Sequence, residues 1–416
     1  MLPPTMPFEQ ARARVIEVVA GRVGARRAQD PGYPPRETVA VADALGRALA
    51  DEIRADREYP PFDRSTRDGF AVRTADVQKL PATLEIAGEI RAGETFTGEA
   101  RAGQCISIMT GAGVPAGLDA VVMVERTQHT KSHVTFERPV ERGQNIVPRG
   151  SEAAAGQVLL TPGVRLGFAE LAIAAQVGRA QVSVYRRPRV AILSTGDEVV
   201  AVDAQPGPAQ IRNSNSVSLA AQALLAGAEP VPLGNAPDHM DKLRAAIERG
   251  LTEDALVLSG GVSMGKYDLV EAVLRELGAE FFFDAVAIRP GKPAVFAMCR
   301  DKPVFGLPGN PVSTMVTFEL FAVPALDLLG GTSPRPLAVF KAKLAAPVNL
   351  KAALTHFLPA VVAWPQGEPV VQELPWQGSG DIVALARANA FLVVPAGRLQ
   401  FAAGDWVDVL PRRGLL

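Results

Sequence analysis

Residues 188–331 alternate between two textures, and this alternation constrains the fold more than any other feature of the chain. "RVAILST", "EPVPLG", "DALVLSGG", "EFFFDAVAI", "AVFAM" and "KPVFGLPG" are short apolar runs closed by Gly, Pro or polar residues. Between and after them lie segments with apolar residues at helical spacing, such as "SNSVSLAAQALLAGA", "DHMDKLRAAIERG", "DLVEAVLRELG" and the run ending at Leu329. Strands so apolar need cover on both faces. Strands alternating with helices of ~10–15 residues predict a doubly wound parallel sheet.

Ligands of such a sheet bind beyond the carboxyl ends of its strands. The residues that follow the strands here are Ser194-Thr195-Gly196-Asp197-Glu198, then Ser259-Gly260-Gly261-Val262-Ser263 with Asp268 close behind, then Arg289-Pro290-Gly291-Lys292, then Pro308-Gly309-Asn310-Pro311 with Ser313. All four loops are expected at one edge. Ser259-Gly260-Gly261 can bend so that successive amides face an anion. Pro311 suits a first helical position, because its missing N–H would have no partner there, and a helix N-terminus attracts negative charge. Arg289 and Lys292 add cations. The expectation is a pocket for a phosphorylated ligand. No GxxxxGK[ST] or GxGxxG pattern occurs, which disfavours an ordinary P-loop or nicotinamide fold.

The acids qualify this. Asp197, Glu198 and Asp268 share the expected rim, and Asp238 opens the helix after the second strand. Carboxylates beside an anion need a cation between them, and Mg²⁺ bridges acids and phosphates while keeping several waters. Asp238 also reads as a plain helix N-cap, and Glu198 as a solvated turn residue. Few soft ligands compete. The chain has two cysteines and no CxxC, and its four histidines are scattered, with His129 and His133 flanking a polar turn. A metal here would therefore be a hard cation held by oxygen.

The 416 residues suffice for two to four domains at roughly 100–200 residues each. With 43 basic and 44 acidic residues the chain has no basic surplus for nucleic acid or an anionic membrane. The N-terminus lacks a signal-peptide pattern and no apolar run reaches the ~18 residues of a spanning segment, so a cytoplasmic, soluble protein is expected. Residues 72–147 are short alternating runs cut by Gly and Pro, a β-rich insertion into a first domain made of 1–71 and 148–187. The α/β domain spans 188–331, and 332–416 is β again. Two loops outside the α/β domain are rich in polar residues: "YPPFDRSTRDGFAV", with Asp68, and "SIMTGAGVPAGLDAVV", with Thr110.

Together, "PPFDRSTRDGFAV", "IMTGAGVPAGLDAVV", "ILSTGDEVV", "IRNSNS", "LSGGVSMGKYD", "AIRPGKPAVF" and "FGLPGNPVSTMVTFEL" resemble the molybdopterin molybdenumtransferase family, of the MoeA type and represented also by the E domain of gephyrin. The resemblance runs in order from about residue 8 to 416 and is loosest in the C-terminal β module. It implies a multidomain α/β plus β chain: an elongated domain, an inserted β module, a molybdopterin-binding-like α/β domain and a C-terminal β domain. It implies a homodimer whose site lies between one subunit's α/β domain and its partner's first two domains. The implied reaction consumes adenylylated molybdopterin and molybdate, requires Mg²⁺ and releases AMP.

Carried over by motif, the resemblance places Asp68, Thr110, Glu198 and Asp268 in catalysis and Asp68, Glu152, Glu198, Asp238 and Asp268 at metal or molybdate. Ser194, Thr195, Gly196, Ser259, Gly260, Gly261, Ser263, Arg289, Lys292, Pro308, Gly309, Asn310, Pro311 and Ser313 fall in the substrate pocket. Arg67, Lys266 and Arg289 depart from the residue types usual at their positions. A scaffold on the same fold, or a tungstate-inserting relative, would carry the same motifs.

Overall fold

The computed structural model describes residues 5–261, 269–350 and 354–415. Ser263, Lys266 and Asp268 lie outside them. Six strands build the central sheet: β1 (Arg189–Thr195), β2 (Glu229–Ala236), β3 (Ala255–Ser259), β4 (Glu280–Phe283), β5 (Val295–Cys299) and β6 (Lys302–Leu307), in the order β2-β1-β3-β6-β5-β4. The first four in that order are parallel. The expectation of a parallel sheet fails for its far edge, because β5 and β6 form an antiparallel hairpin and β4 runs antiparallel to β5. A two-residue turn, Arg300-Asp301, links β5 to β6 with both residues at positive φ. A parallel pair would need a crossover of a dozen residues or more.

The helices are α1 (Phe8–Gln29), α2 (Phe168–Gln176), α3 (Ser214–Ala226), α4 (Met240–Gly250), α5 (Leu269–Glu276), α6 (Pro311–Thr317), α7 (Val323–Leu329) and α8 (Ile382–Arg387). Successive strand side chains point to opposite faces. Val190, Ile192, Val257, Phe305 and Leu307 accordingly pack with α1, α3, α6 and α7, while Ala191, Leu193, Leu256, Leu258 and Val304 pack with α4 and α5. The i, i+4 series Ala11, Val15, Val19 and Val23 brings the N-terminal helix α1 into the first of these cores.

A π-helical turn, Phe318–Ala322, joins α6 to α7. The joined helix Pro311–Leu329 is long and apolar enough for a membrane span, contrary to the sequence expectation. It is instead 83% buried inside the molecule, where it is the central helix of the core.

Residues 36–40 pair with 181–185, 53–54 with 158–160, and 64–65 with 146–147, so the two flanks of the β-rich insertion lie side by side. Residues 69–136 form their own six-stranded sheet. At the other end, strands 355–363, 370–373, 340–344, 406–411 and 390–394 close on themselves as a barrel, because the first and last also pair. The two-residue strand Ile288–Arg289 joins this barrel, opposite Thr355 and His356. The expected single strand over 280–288 is therefore two pieces in two sheets.

Candidate functional site

From β1 the chain passes through α3 to β2 on one side and then through α4 to β3 on the other. The winding reverses between β1 and β3, and a crevice opens at the carboxyl ends of such strands. A cavity of about 370 Å³ lies there, lined by Ser194, Thr195 and Glu198 after β1, residues 211–215 at the start of α3, Ser259, Gly260 and Gly261 after β3, Pro293, and Pro308 to Pro311 after β6. Pro293 arrives by an unexpected route. It precedes β5, and because β5 runs antiparallel to β6, the start of β5 meets the end of β6.

Gly260 and Gly261 have φ of 93° and 63°. A Cβ on Gly260 would come 2.7 Å from the carbonyl oxygen of Thr195, and one on Gly261 would come 2.7 Å from Thr195 Oγ1. Both positions need glycine for conformation and for space. Gly309 packs against Gly260 across the cavity floor, at 3.6 Å from an added Cβ. The anion cradle expected from these loops is partly used up. The Gly260 amide donates to Leu307 O at 3.1 Å. The Val312 amide, near the start of α6, donates to Ser379 O at 3.0 Å, and Asn310 Nδ2 donates to Ser379 Oγ at 2.8 Å. The C-terminal domain thus holds the Pro-Gly-Asn-Pro joint from outside.

Asn213 caps α3: its Oδ1 accepts from the Ser216 amide and from Ser194 Oγ, each at 3.0 Å. Asn215 Nδ2 donates to Ser259 Oγ at 2.7 Å and Gly309 O at 2.8 Å, tying the start of α3 to two strand-end loops. Glu198 and Arg212 are the charged residues lining the cavity among those described. Asn213, Asn215, Arg212 and Ser379 were not singled out from sequence. The first three lie in the quoted "IRNSNS" segment, where their polar spacing was a signal, whereas nothing near Ser379 marked it.

Other expected residues lie elsewhere. Gly196, at φ 129°, sits beside the cavity against the Glu198 carboxylate but does not line it. Ser313 is buried within α6, and its carbonyl accepts from Thr317 Oγ1 at 2.8 Å. Arg289 and Lys292 are exposed and off the cavity wall, Arg289 because its strand belongs to the barrel. Asp238 is not the N-cap of α4. His239 holds that position, and the Asp238 amide donates to Asp197 Oδ1 at 3.1 Å. Partial burial, then the charges of Asp197 and Glu198, hold the Asp238 carboxyl above its ordinary range. Three carboxylates therefore share one corner of the rim.

Asp68, Thr110 and Glu152 do not line the cavity. Asp68 Oδ1 accepts from the Thr110 amide at 2.6 Å and from its hydroxyl at 2.8 Å. These bonds hold the Asp68 carboxyl below its usual range. Glu152 pairs with Arg64 at 3.0 Å, and Arg67 is exposed nearby in sequence. His129 and His133 are exposed on the hairpin 127–136.

Fold and site thus define a small-molecule-binding α/β module built into a larger multidomain chain. The sequence matches the family profiles "MoeA N-terminal region (domain I and II)" over residues 6–178, "Probable molybdopterin binding domain" over 191–328 and "MoeA C-terminal region (domain IV)" over 341–411. It is 38% identical over 384 residues to a molybdopterin molybdenumtransferase of Bacillus subtilis, covering 90% of this chain and 89% of that one. A protein of the same name from a Nostoc species is 36% identical over 387 residues, covering 90% and 88%. A solved molybdopterin biosynthesis MoeA protein from Pyrococcus horikoshii OT3 superposes with a TM-score of 0.79 at 26% identity, covering 98% of this chain and all of the other. The chain belongs to the MoeA family.

Proposed function

We propose that this chain is a molybdopterin molybdenumtransferase: it binds adenylylated molybdopterin and molybdate, cleaves the phosphoanhydride to release AMP, and delivers the metal to the dithiolene sulfurs. The observation that carries this reading is the meeting of Glu198, the Ser-Gly-Gly turn and the Pro-Gly-Asn-Pro joint on one switch-point cavity. The family membership supports it throughout the chain's length.

The residues present fit a Mg²⁺ cofactor. The raised Asp238 carboxyl beside Asp197 and Glu198 marks a concentration of negative charge that a cation would relieve. The donors are hard oxygens. Among the described residues no group of three or more His, Cys, Asp or Glu side chains is placed to hold an ion, so most ligands of a Mg²⁺ here would be waters and substrate phosphates. Glu198 and Asp238, together with Asp268, would hold it, and when bound it would neutralise charge on the phosphoanhydride oxygens. Glu198 would also set the position of the substrate against the Gly260 and Gly309 floor, and Arg212 would offset phosphate charge at the cavity mouth. Ser194, Thr195, Ser259 and Asn310, which line the cavity, would orient the substrate.

Asp68, Thr110 and Glu152 join this site in a homodimer, supplied by the partner subunit. Support comes from their absence from the cavity of their own chain and from apolar residues left outside: Val217, Leu224 and Leu225 on α3 are more than half exposed, and Phe168 on α2 is 88% exposed. The setting is cytoplasmic.

The test is AMP release from adenylylated molybdopterin with molybdate and Mg²⁺. Glu198→Gln, an exposed change that disturbs no core, should lower the rate by about 10²-fold or more with no loss in melting temperature. Release at the wild-type rate would remove the assignment.

A further inference from the structure

Asp68 stands immediately before strand 69–72, which lies between strands 104–108 and 120–123. Gly69 pairs with Ile108 on one side and Met123 on the other, and a Cβ at Gly69 would overlap Val122 O. Such close backbone approach leaves the start of this strand no room to shift. Its antiparallel register sets Asp68 beside the turn that follows Ile108, where Thr110 sits. Ser65, 1% exposed, ties the two loops a second time. Its amide donates to Ala112 O and its carbonyl accepts from the Gly111 amide, each at 2.9 Å. Its hydroxyl donates to Arg67 O at 2.6 Å and accepts from the Arg67 amide at 3.3 Å, which fixes the backbone one residue before Asp68. On this frame Asp68 Oδ1 takes both the amide and the hydroxyl of Thr110. A carboxylate oxygen has about two acceptor positions, so Oδ1 is filled. Among the described residues nothing bonds to Oδ2. The Thr110 hydroxyl gives its only hydrogen to Oδ1, because an ionised carboxylate can only accept. Both side chains are exposed, and the atoms they have left, Oδ2 and Thr110 Oγ1, are acceptors.

We infer that Ser65 and Thr110 are positioning residues, which fix Asp68 so that one carboxylate oxygen, Oδ2, is offered to the neighbouring subunit's site and meets there a cation or an N–H or O–H donor. Molybdate and phosphoanhydride oxygens carry no proton at neutral pH, so they fall to other residues. Thr110 acts through Asp68 and not on the substrate. Where Oδ2 acts rests on the homodimeric site proposed above; the frame that holds it lies within one chain.

The experiment has two readouts on the intact protein. The first is amide hydrogen exchange at Thr110, an exposed turn position whose amide is held by Asp68 alone. It should exchange about tenfold more slowly in the wild type than in Asp68→Ala. Asp68→Asn, whose Oδ1 can still accept, should keep the protection, and Ser65→Ala should lose part of it. The second is AMP release. Thr110→Val should lower kcat about tenfold with little change in KM, as expected for a misplaced group, and Thr110→Ser should recover the rate. In an Asp68→Ala background Thr110→Val should lower the residual rate no further. Asp68→Asn turns a donor outward where an acceptor is required, so it should fail as fully as Asp68→Ala. A wild-type amide that exchanges as fast as that of Asp68→Ala overturns the inference. So do additive losses in the double variant, or an Asp68→Asn protein that works at the wild-type rate. Thr110 is exposed, so its variants decide the matter even if the buried change at Ser65 unfolds the loop. Amide exchange needs no turnover, so loss of the transferase reading and loss of the frame around Asp68 are separate results.

Discussion

Asp238 shows how a single carboxylate can act against the fold for the sake of a site. Its carboxyl is held above the ordinary 3.8 by burial and by its acidic neighbours. The native state therefore keeps this proton more tightly than the unfolded chain. Stability falls as pH rises from about 3.8 through the raised value, and the penalty is complete above it. Asp238→Asn should raise the melting temperature at pH 7 in the absence of Mg²⁺, with the gain vanishing as pH falls towards 3.8. Mg²⁺ should raise the melting temperature of the wild type more than that of the variant. A pH-independent difference between the two proteins would show that Asp238 carries no such strain. Asp68 has the opposite sign. Its bonds to Thr110 favour the charged form, so their contribution is present above the ordinary carboxylate range and lost as pH falls through the lowered value. Residue types were legible in sequence here, as acids next to glycines at strand ends. Their partners were not: Asp238 offered itself both as a metal-site acid and as a plain helix cap, and the cap is His239.

At the scale of elements, the joint between β6 and α6 has the densest local signal in the chain and the least local explanation. Two prolines and an asparagine shape its path, yet the Val312 amide and Asn310 Nδ2 are satisfied by Ser379, which lies 67 or more residues away in the loop between barrel strand 370–373 and α8. Asp381 holds that loop in turn, accepting from the Gln377 and Ala384 amides, each at 3.0 Å. Ser379→Ala should cost about 0.5–1.5 kcal/mol in denaturant unfolding, and weaken substrate binding more than it lowers kcat, because the joint would keep its backbone bond and lose the side-chain one. Unchanged binding would mean that the prolines alone hold the joint. The strand over 280–288 is the corresponding miss: its apolar run was legible, but the division of Glu280–Phe283 and Ile288–Arg289 between two sheets depends on the barrel beside it.

For the whole molecule the telling contact is Asp327, 1% exposed on α7. It binds Arg335 at 2.7 Å and Arg165 at 3.1 Å, and Arg165 also donates to Gly46 O at 2.8 Å. This triad, buried at its carboxylate and part-exposed at both guanidinium groups, joins the N-terminal region to the α/β core. Asp327→Ala would leave two guanidinium groups without their carboxylate, at a cost of about 3–5 kcal/mol. Urea unfolding should then separate into two transitions, the N-terminal region first. A single cooperative transition at the wild-type midpoint would mean that apolar packing alone couples the parts.

The sequence by itself determined the α/β and β composition of the chain, the order of its strands and helices, and the family to which it belongs. These depend on local periodicity and on short motifs, which are properties of neighbouring residues. Only the tertiary structure decided that β5 and β6 turn back as a hairpin, that α1 completes the α/β core, that Ser379 closes the joint from another domain, and that Asn215 rather than Lys292 lines the cavity. Each of these depends on which distant segments share a surface, and burial and hydrogen-bond satisfaction select such pairings over the molecule as a whole.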